Sequence, residues 1–455
     1  MSARLPRTRW GGIADGRFQG DGFFRVTESD DAFWLVDPDG GRFLSKGVNT
    51  VRIDQDRIGN TERAPYADAC RRKYGSEQAW RAAAAARLTR LGFNTLGSWS
   101  DETVAKAASK PLAVAPNIDL GMSFAWAKND AAGAGARQEF PDVFDPEFDR
   151  HAQRRAALVC AERRNDPHVI GWFIDNELRW GSDWRGPDEL LGLFLNLSAG
   201  APGRVTALSW LHERHPDFAA FNAIWRTPAQ SWETLERLTR IEPPYRRDPV
   251  YQRKADDEDR ANRTNPAHAS FVADCDGFAR AVGERYFATT CAAIRAVDPH
   301  HLVLGCRFAY VPSSGVINAA ARYCDIISLN CYDADAGPVI DSYGESRPCL
   351  VGEFSFRGID SGLPNTNGAG PLVATQADRA DSFRRYVSAA LQRPTVVGFH
   401  WFEHADQPAE GRFDGENSNF GIVSIDDVIY EELAQAMQDL NQEAERLHGL
   451  AVEVS

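Results

Sequence analysis

The chain has no run of 18 apolar residues and no Cys-x-x-Cys pair. The first absence leaves no candidate membrane-spanning helix, and the second removes the usual zinc frames. Eight cysteines (70, 160, 275, 291, 306, 324, 331 and 349) are scattered without the spacing of a disulfide scaffold. Cys306, Cys331 and Cys349 fall in or at the ends of expected strands, where small hydrophobes belong. No G-x-G-x-x-G follows the first expected strand, and there is no P-loop and no H-E-x-x-H. No cofactor and no metal are expected. Positive charge is in deficit, with 51 Lys and Arg against 64 Asp and Glu for a net −13. That balance argues against a nucleic acid or an anionic membrane as partner. It also weakens a heavily sulfated or carboxylated ligand. The opening MSARLPRTRWGG lacks an apolar signal core, so the expected location is cytoplasmic. Oligomeric state is not legible, and a homo-oligomer stays open.

What is present is a repeating pattern. The 455 residues suffice for one large α/β domain with insertions, or for two domains. Residues 1–40 read as a short β cap: FFRV (23–26) and FWLV (33–36) flank an acidic turn, and DPDGG (37–41) is a strong turn signal. From residue 41 onward, short apolar strands alternate with helical segments. The strands are RFLSKGVNTVRI (42–53), FNTLGSW (93–99), PLAVAPNI (111–118), VIGWFID (169–175), HLVLGCRF (301–308), DIISLNCY (325–332), PCLVGEF (348–354) and VVGFHWF (396–402). Helices are expected over 77–92, 101–109, 148–164, 274–297, 315–322, 375–392 and 430–447. Eight strands alternating with helices predict an α/β fold, a (β/α)8 TIM barrel spanning 41–455. An open doubly wound sheet is the lesser alternative, because its phosphate-binding glycines are missing. The connection after strand four is far longer than a βα unit needs. It is read as a helical insertion over 182–275, with helices at 188–199, 204–214, 217–225 and 230–240 and a charged stretch at 246–263.

Barrels of this kind carry their chemistry at the C-terminal strand ends. Those ends hold Asn49 and Arg52, Trp99, Asn117 and Asp119, Asn176 and Glu177, Arg307, Asn330 and Tyr332, Glu353, and His400 with Trp401. Two ends carry Glu: the fourth (Glu177) and the seventh (Glu353). Strands four and seven face each other across a barrel mouth, and two opposed carboxyls are what glycoside cleavage needs. One protonates the departing oxygen; the other attacks the anomeric carbon or activates a water. Each Glu alone is as readily a structural ion pair, so the argument rests on the pair.

Asn176-Glu177 and Glu353 resemble the retaining glycosidases of clan A. The resemblance implies Glu177 as acid/base with a raised pKa, Glu353 as nucleophile, Asn176 as ligand of the sugar 2-hydroxyl and Tyr332 as hydrogen-bond donor to the nucleophile. A narrower resemblance is to the β-agarases of glycoside hydrolase family 50. It is carried by FWLVDPDGGRFLSKGVNTV (33–51), GWFIDNELRWG (171–181), GEFSFRGIDSG (352–362) and GFHWFEHADQPAEGRFDGENSNFGIV (398–423). It implies a retaining β-glycoside hydrolase of galactoside type; with the expected cytoplasmic location, the substrate expected is a short galactoside-type or related oligosaccharide, trimmed from one end by exo action.

The loop after strand eight adds Glu403, Gln407, Asp414, Glu416 and Asn417 as expected sugar-hydroxyl ligands, with Arg412 as an ion-pair partner for them. Any one of them alone is as readily a solvated loop residue. Asp414 and Glu416 lack the spacing of a calcium loop. Trp401 is expected as the stacking platform, His400 as a sugar ligand, and Trp180 and Trp184 as aromatic subsites. Asn49, Arg52, Trp99 and Arg307 complete the expected binding set. A transglycosylase on the same residues and a catalytically silent sugar-binding barrel are the alternatives. Product analysis with added acceptor separates the first, and sugar binding without hydrolysis the second.

Overall fold

The computed structural model describes residues 6–132, 138–245, 263–344 and 347–449. The N-terminal part forms an antiparallel sheet of β1 (Arg25–Ser29), β2 (Ala32–Val36) and β3 (Arg42–Phe43). The expected 42–53 strand therefore divides: Arg42–Phe43 closes this sheet, and β4 (Ser45–Val48) begins the central one. The central strands continue as β5 (Thr95–Leu96), β6 (Ala113–Val114), β7 (Gly171–Trp172), β8 (Leu302–Val303), β9 (Ile327–Asn330) and β10 (Cys349–Phe354). A small parallel pair follows, β11 (Arg357–Gly358) with β12 (Leu372–Val373), and then β13 (Val396–Trp401) returns to the centre.

Six central strands pair in the order β6-β5-β4-β13-β10-β9, all parallel, and β7 pairs with β8. Backbone bonds join these two groups at both sides. The Ile170 N–H donates to Val114 at 2.9 Å and that of Phe173 to Pro116 at 3.0 Å; those of Phe308 and Asn330 bond Ser328 and Phe308 at 3.0 and 2.8 Å. The hydrogen-bonded circuit returns to the strand from which it started.

The strands are almost wholly buried, which is why they read as continuous apolar runs rather than alternating ones. Alternation nevertheless sorts them. Ala113, Ala115, Ile170, Leu302, Leu304, Ile326, Leu350 and Val397 join one cluster with Trp10, Phe24, Leu35 and Phe43 of the N-terminal part. Their neighbours Val114, Val169, Val303, Ile327, Cys349, Val351 and Val396 join the larger cluster with the helices. Period-two side chains thus divide between an inner layer, closed at one end by the N-terminal aromatics, and an outer helix-facing layer.

Helices arise at the expected stretches, with ends set by caps. The Ser76 hydroxyl accepts from Ala79 N to open Glu77–Arg90, and Gly92 follows at φ +80. Thr375 and Asp378 form a capping box for Gln376–Leu391. Pro146–Cys160, Ala269–Val297, Ser314–Tyr323 and Glu431–Leu447 match their expected segments within a few residues, and the 101–109 segment contracts to Thr103–Ala107. Three helices were not expected: Pro65–Tyr74, Leu120–Ala132 and Gly337–Asp341. The first had a legible signal in Pro65 at its start and Gly75 after its end, at φ +72. Between β7 and β8, helices run over Leu190–Leu195, Pro202–Arg214, Phe218–Trp225 and Trp232–Glu236, the last two turns shorter than its segment. Residues 246–262 of the charged stretch lie outside the described residues. Among the described residues no helix is long and apolar enough to cross a membrane.

Candidate active site

The inner layer also carries polar side chains, beginning where β4 and β5 start. Ser45 Oγ bonds Thr95 Oγ1 at 3.0 Å and His400 Nε2 at 2.8 Å, all three buried. Above this layer sits Arg307, fully buried after β8. Its guanidinium is spent on three partners: Nε donates to Asn176 Oδ1 at 2.7 Å, Nη1 to Ser98 Oγ at 2.6 Å, and Nη2 to Glu353 Oε1. Trp99 and Phe173 rings lie 5.0 and 4.8 Å from it. A planar fork with several donors suits this position better than an ammonium would.

Glu353, 4% exposed, receives Arg307 on one oxygen and the Tyr332 hydroxyl on the other at 2.6 Å. Both oxygens are thus held, one by a guanidinium and the other by a phenol. Glu177 takes one bond from Asn330 Nδ2 at 2.9 Å, and the same amide reaches Asn176 Oδ1 at 3.1 Å. Burial, then the charge of Glu353, pushes the Glu177 carboxyl up from 4.5 to about 7. The two carboxyls therefore belong to one hydrogen-bonded patch, in which Glu177 is poised near neutrality. Asn176 Oδ1 is occupied twice, so its amide orientation is set and Nδ2 remains as the donor.

The backbone contributes too. Thr50, Trp99, Asp119, Glu177 and Arg307, one after each of β4 to β8, all lie at positive φ, between 50 and 61. None is glycine, and left-handed residues of this kind cost energy that surrounding structure must hold in place. Before Glu177, Asp175 caps the helix Leu120–Ala132 by accepting from Gly121 N and Met122 N at 2.7 and 2.8 Å. It also accepts from the Tyr286 hydroxyl at 2.5 Å, and burial lifts its carboxyl to about 7.

Five expected ligands have other work. Trp401 is fully buried, packed edge-on to Phe354 and Phe383 with its indole N–H on Phe420 O. It faces the helix layer and cannot stack on a sugar, because strand alternation turns it outward. His400 faces inward but lies beneath the mouth, against Ser45 and Phe173. Burial, then Arg307, lowers it to about 3, a neutral core imidazole. Trp180 stacks on Phe287 at 5.5 Å within an aromatic cluster. Asn49 spends its amide on the frame: Oδ1 accepts from Ser98 N at 2.9 Å and Nδ2 donates to Gly352 O at 2.8 Å. Arg307 is likewise wholly engaged, a positioning group for the carboxylate and Asn176.

Trp99 remains at the mouth, half-buried, with Phe402 at 6.5 Å. Arg52 is half exposed and held by Asp54 through bonds of 2.8 and 2.7 Å. In the loop after β13, Gln407 bridges Glu403 at 3.1 Å and Glu416 at 2.9 Å, and Arg412 donates to Glu416 at 2.6 Å. Glu403 and Gln407 are buried, so their expected contact with sugar gives way to a role in shaping the loop. Glu416 is half-buried and raises the neighbouring Tyr332 phenol by its charge, after burial and the two catalytic-candidate glutamates. Asp414 is exposed and turns back to Arg412. Asn417 Oδ1 accepts from Thr366 N and Asn367 N at 3.0 and 3.1 Å, tying this loop to the one after β10.

Asn330, named among the strand ends, does reach the site, as the donor to Glu177 and Asn176. Ser98 and Phe402 were not among the candidates; Ser98 lies one residue before an expected strand end, which is the signal available for it. Among the described residues, no group of three or more His, Cys, Asp or Glu is arranged to hold a metal ion. All eight cysteines are buried free thiols.

No family model matches the chain. β-Agarase B of Vibrio sp. (strain JT0107) is 27% identical over 97% of this chain and 50% of its own length. β-Agarase A of the same strain is 28% identical over 92% of this chain and 45% of its own. The chain spans about half the length of the curated relatives it matches. Among solved structures, PfGH50B matches with TM-score 0.75 and 25% identity over 98% of this chain and 70% of that one. The agarase AgWH50C matches with TM-score 0.73 and 25% identity over 98% and 68%. By sequence and by fold, the chain is similar to family 50 agarases.

Proposed function

We propose that the chain is a retaining β-glycoside hydrolase, built on a closed (β/α)8 barrel, that releases units from the end of a galactoside chain of the agar type. The observation that carries this reading is the shared patch in which Glu353 is held by Arg307 and Tyr332 while Glu177 is lifted to about 7. The unbroken strand circuit supports the barrel, with residues 1–40 as its cap and 182–275 as an insertion at the mouth. The Vibrio β-agarases, matched along nearly the whole chain, support the substrate class.

Glu353 attacks the anomeric carbon while Glu177 gives its proton to the departing oxygen. The glycosyl ester on Glu353 is then hydrolysed by a water that Glu177 deprotonates. Asn176 Nδ2 donates to the sugar 2-hydroxyl, and Trp99 lines the mouth. Arg307 and Tyr332 stabilise the Glu353 carboxylate as leaving group in the second step. Both carboxyl groups supply the acid, base and nucleophile, so the cycle closes with water alone.

The test is product stereochemistry. Proton NMR of the first product from a β-linked oligosaccharide shows the β-anomer before mutarotation if the cycle is a double displacement. An α-anomer overturns the retaining assignment. Glu353→Gln abolishes turnover of an aryl β-galactoside, and full activity in that variant removes the site from consideration.

A further inference from the structure

Beside the acid/base, an aromatic shelf faces solvent. Trp184 is 48% exposed and Val311 42%, unusual openness for such side chains next to a buried polar site. The Trp184 ring carries the Arg185 guanidinium 4.3 Å from its centroid and packs at 5.5 Å against Tyr310. Arg185 is itself clamped: it bonds Asp183 through Nε at 3.0 Å and donates through Nη1 to the Glu177 carbonyl at 2.8 Å. The shelf is thus fastened to the backbone of the residue that protonates the leaving group. Next to it opens a slot of about 170 Å³, lined by Leu178, Trp180, Asp183, Tyr310, Val311 and Pro312 among others. The cationic groups of shelf and slot are committed to carboxylates, Arg185 on the shelf to Asp183 and Arg263 in the slot to Glu189 and Asp276. The charged groups an anionic substituent would meet in the slot are the carboxylates Asp183, Glu189 and Asp276 and a guanidinium already paired with two of them.

The geometry points to this shelf and slot as the subsite for the leaving-group side of the substrate, stacking an uncharged sugar on Trp184. This deepens the hydrolase reading and rests on it. The side of the site that carries the general acid is the side from which the aglycone departs. A rigid aromatic there binds sugar beyond the cleaved bond and spends that binding on the chemical step. Substrates are then neutral oligosaccharides with at least one sugar past the scissile linkage, rather than small glycosides or sulfated chains.

The test uses Trp184→Ala and Trp184→Tyr in the full chain. Both keep the parent melting temperature, because the side chain is half exposed. On a neutral agaro-oligosaccharide, Trp184→Ala loses about tenfold more kcat/KM than it loses on an aryl β-galactoside, the scale of a truncated aromatic anchor. Trp184→Tyr recovers most of the difference. Equal losses on both substrates, or none, overturn the subsite. A second arm needs no turnover. Calorimetric affinity of the Glu353→Gln protein for the same oligosaccharide weakens about tenfold when Trp184→Ala is added. Unchanged affinity, or no binding to begin with, also overturns the subsite, whereas persistent activity of Glu353→Gln would strike at the hydrolase reading alone. A sulfated analogue binds the Glu353→Gln protein more weakly than the neutral one; equal binding refutes the selection against charge.

Discussion

Tyr332 donates its hydroxyl to Glu353 Oε2 at 2.6 Å, while Arg307 holds the other oxygen of the same carboxylate. The nucleophile candidate is therefore fixed by two donors from two different strand ends, the sixth and the fifth of the central eight. A hydrogen bond to a charged group is worth about 1.5–3 kcal/mol. Tyr332→Phe should lower kcat/KM on an aryl β-galactoside by roughly tenfold to a hundredfold, with little change in melting temperature. Parent-like kinetics in that variant would remove Tyr332 from the site.

A second prediction concerns pH. Glu177 must hold a proton to act as acid, and its carboxyl is raised to about 7 by burial and by Glu353. The protonated fraction is full at lower pH and falls as pH rises through that value. The alkaline limb of kcat/KM should bend near pH 7 and fall about tenfold per unit beyond it. Glu177→Gln should erase that limb and slow substrates with poor leaving groups more than activated aryl glycosides. An unaltered alkaline limb in the variant is the outcome that would sink the assignment.

Stability carries its own pH signature through Glu445. This buried carboxylate accepts from Lys46 at 2.9 Å and from Arg7 at 3.0 Å, joining the last helix to β4 and to the N-terminal segment. Despite burial, the charges of Lys46 and Arg7 lower it from 4.5 to about 2. A lowered carboxylate contributes fully above its unfolded value, and the contribution is lost as pH falls from about 4.5 toward 2. Glu445→Gln should cost about 3 kcal/mol at neutral pH by denaturant unfolding, since one pKa unit is about 1.4 kcal/mol. The gap between variant and parent should close in acid. A gap independent of pH would contradict this.

The inner layer offers a steric test. A methyl group placed on Gly47 would lie 2.3 Å from His400 Cδ2. Gly47→Ala should destabilise the protein by about 1–3 kcal/mol, the usual cost of overpacking. Combining it with His400→Ala should cost less than the sum of the two single changes, because the clash is removed. Strict additivity would show that the imidazole moves aside freely.

The eight strand segments and seven helices were legible because buried parallel strands are short apolar runs between amphipathic helices. The helix Leu120–Ala132 was not, since its start is capped by Asp175 from a distant strand instead of by a neighbour in sequence. Trp401 and His400 show the limit at the site. Both end an apolar run beside polar residues, and adjacent positions in a strand point to opposite faces. One turns to the helices and the other into the core, so a strand-end residue is a candidate ligand only if register also lifts it to the mouth.

Composition and order in the chain determined that glutamates end two strands 176 residues apart, that an Asn precedes one and that a Tyr follows the strand before the other. Folding decided what those residues became. Arg307, at the end of a different strand, touches Ser98, Asn176 and Glu353 at once, while burial and the nearby charge of Glu353 raise the Glu177 carboxyl. Local sequence sets what each side chain is able to do; its protonation, its partners and its reach depend on which distant strands twist beside it, because electric fields and exclusion of water act through space and not along the chain.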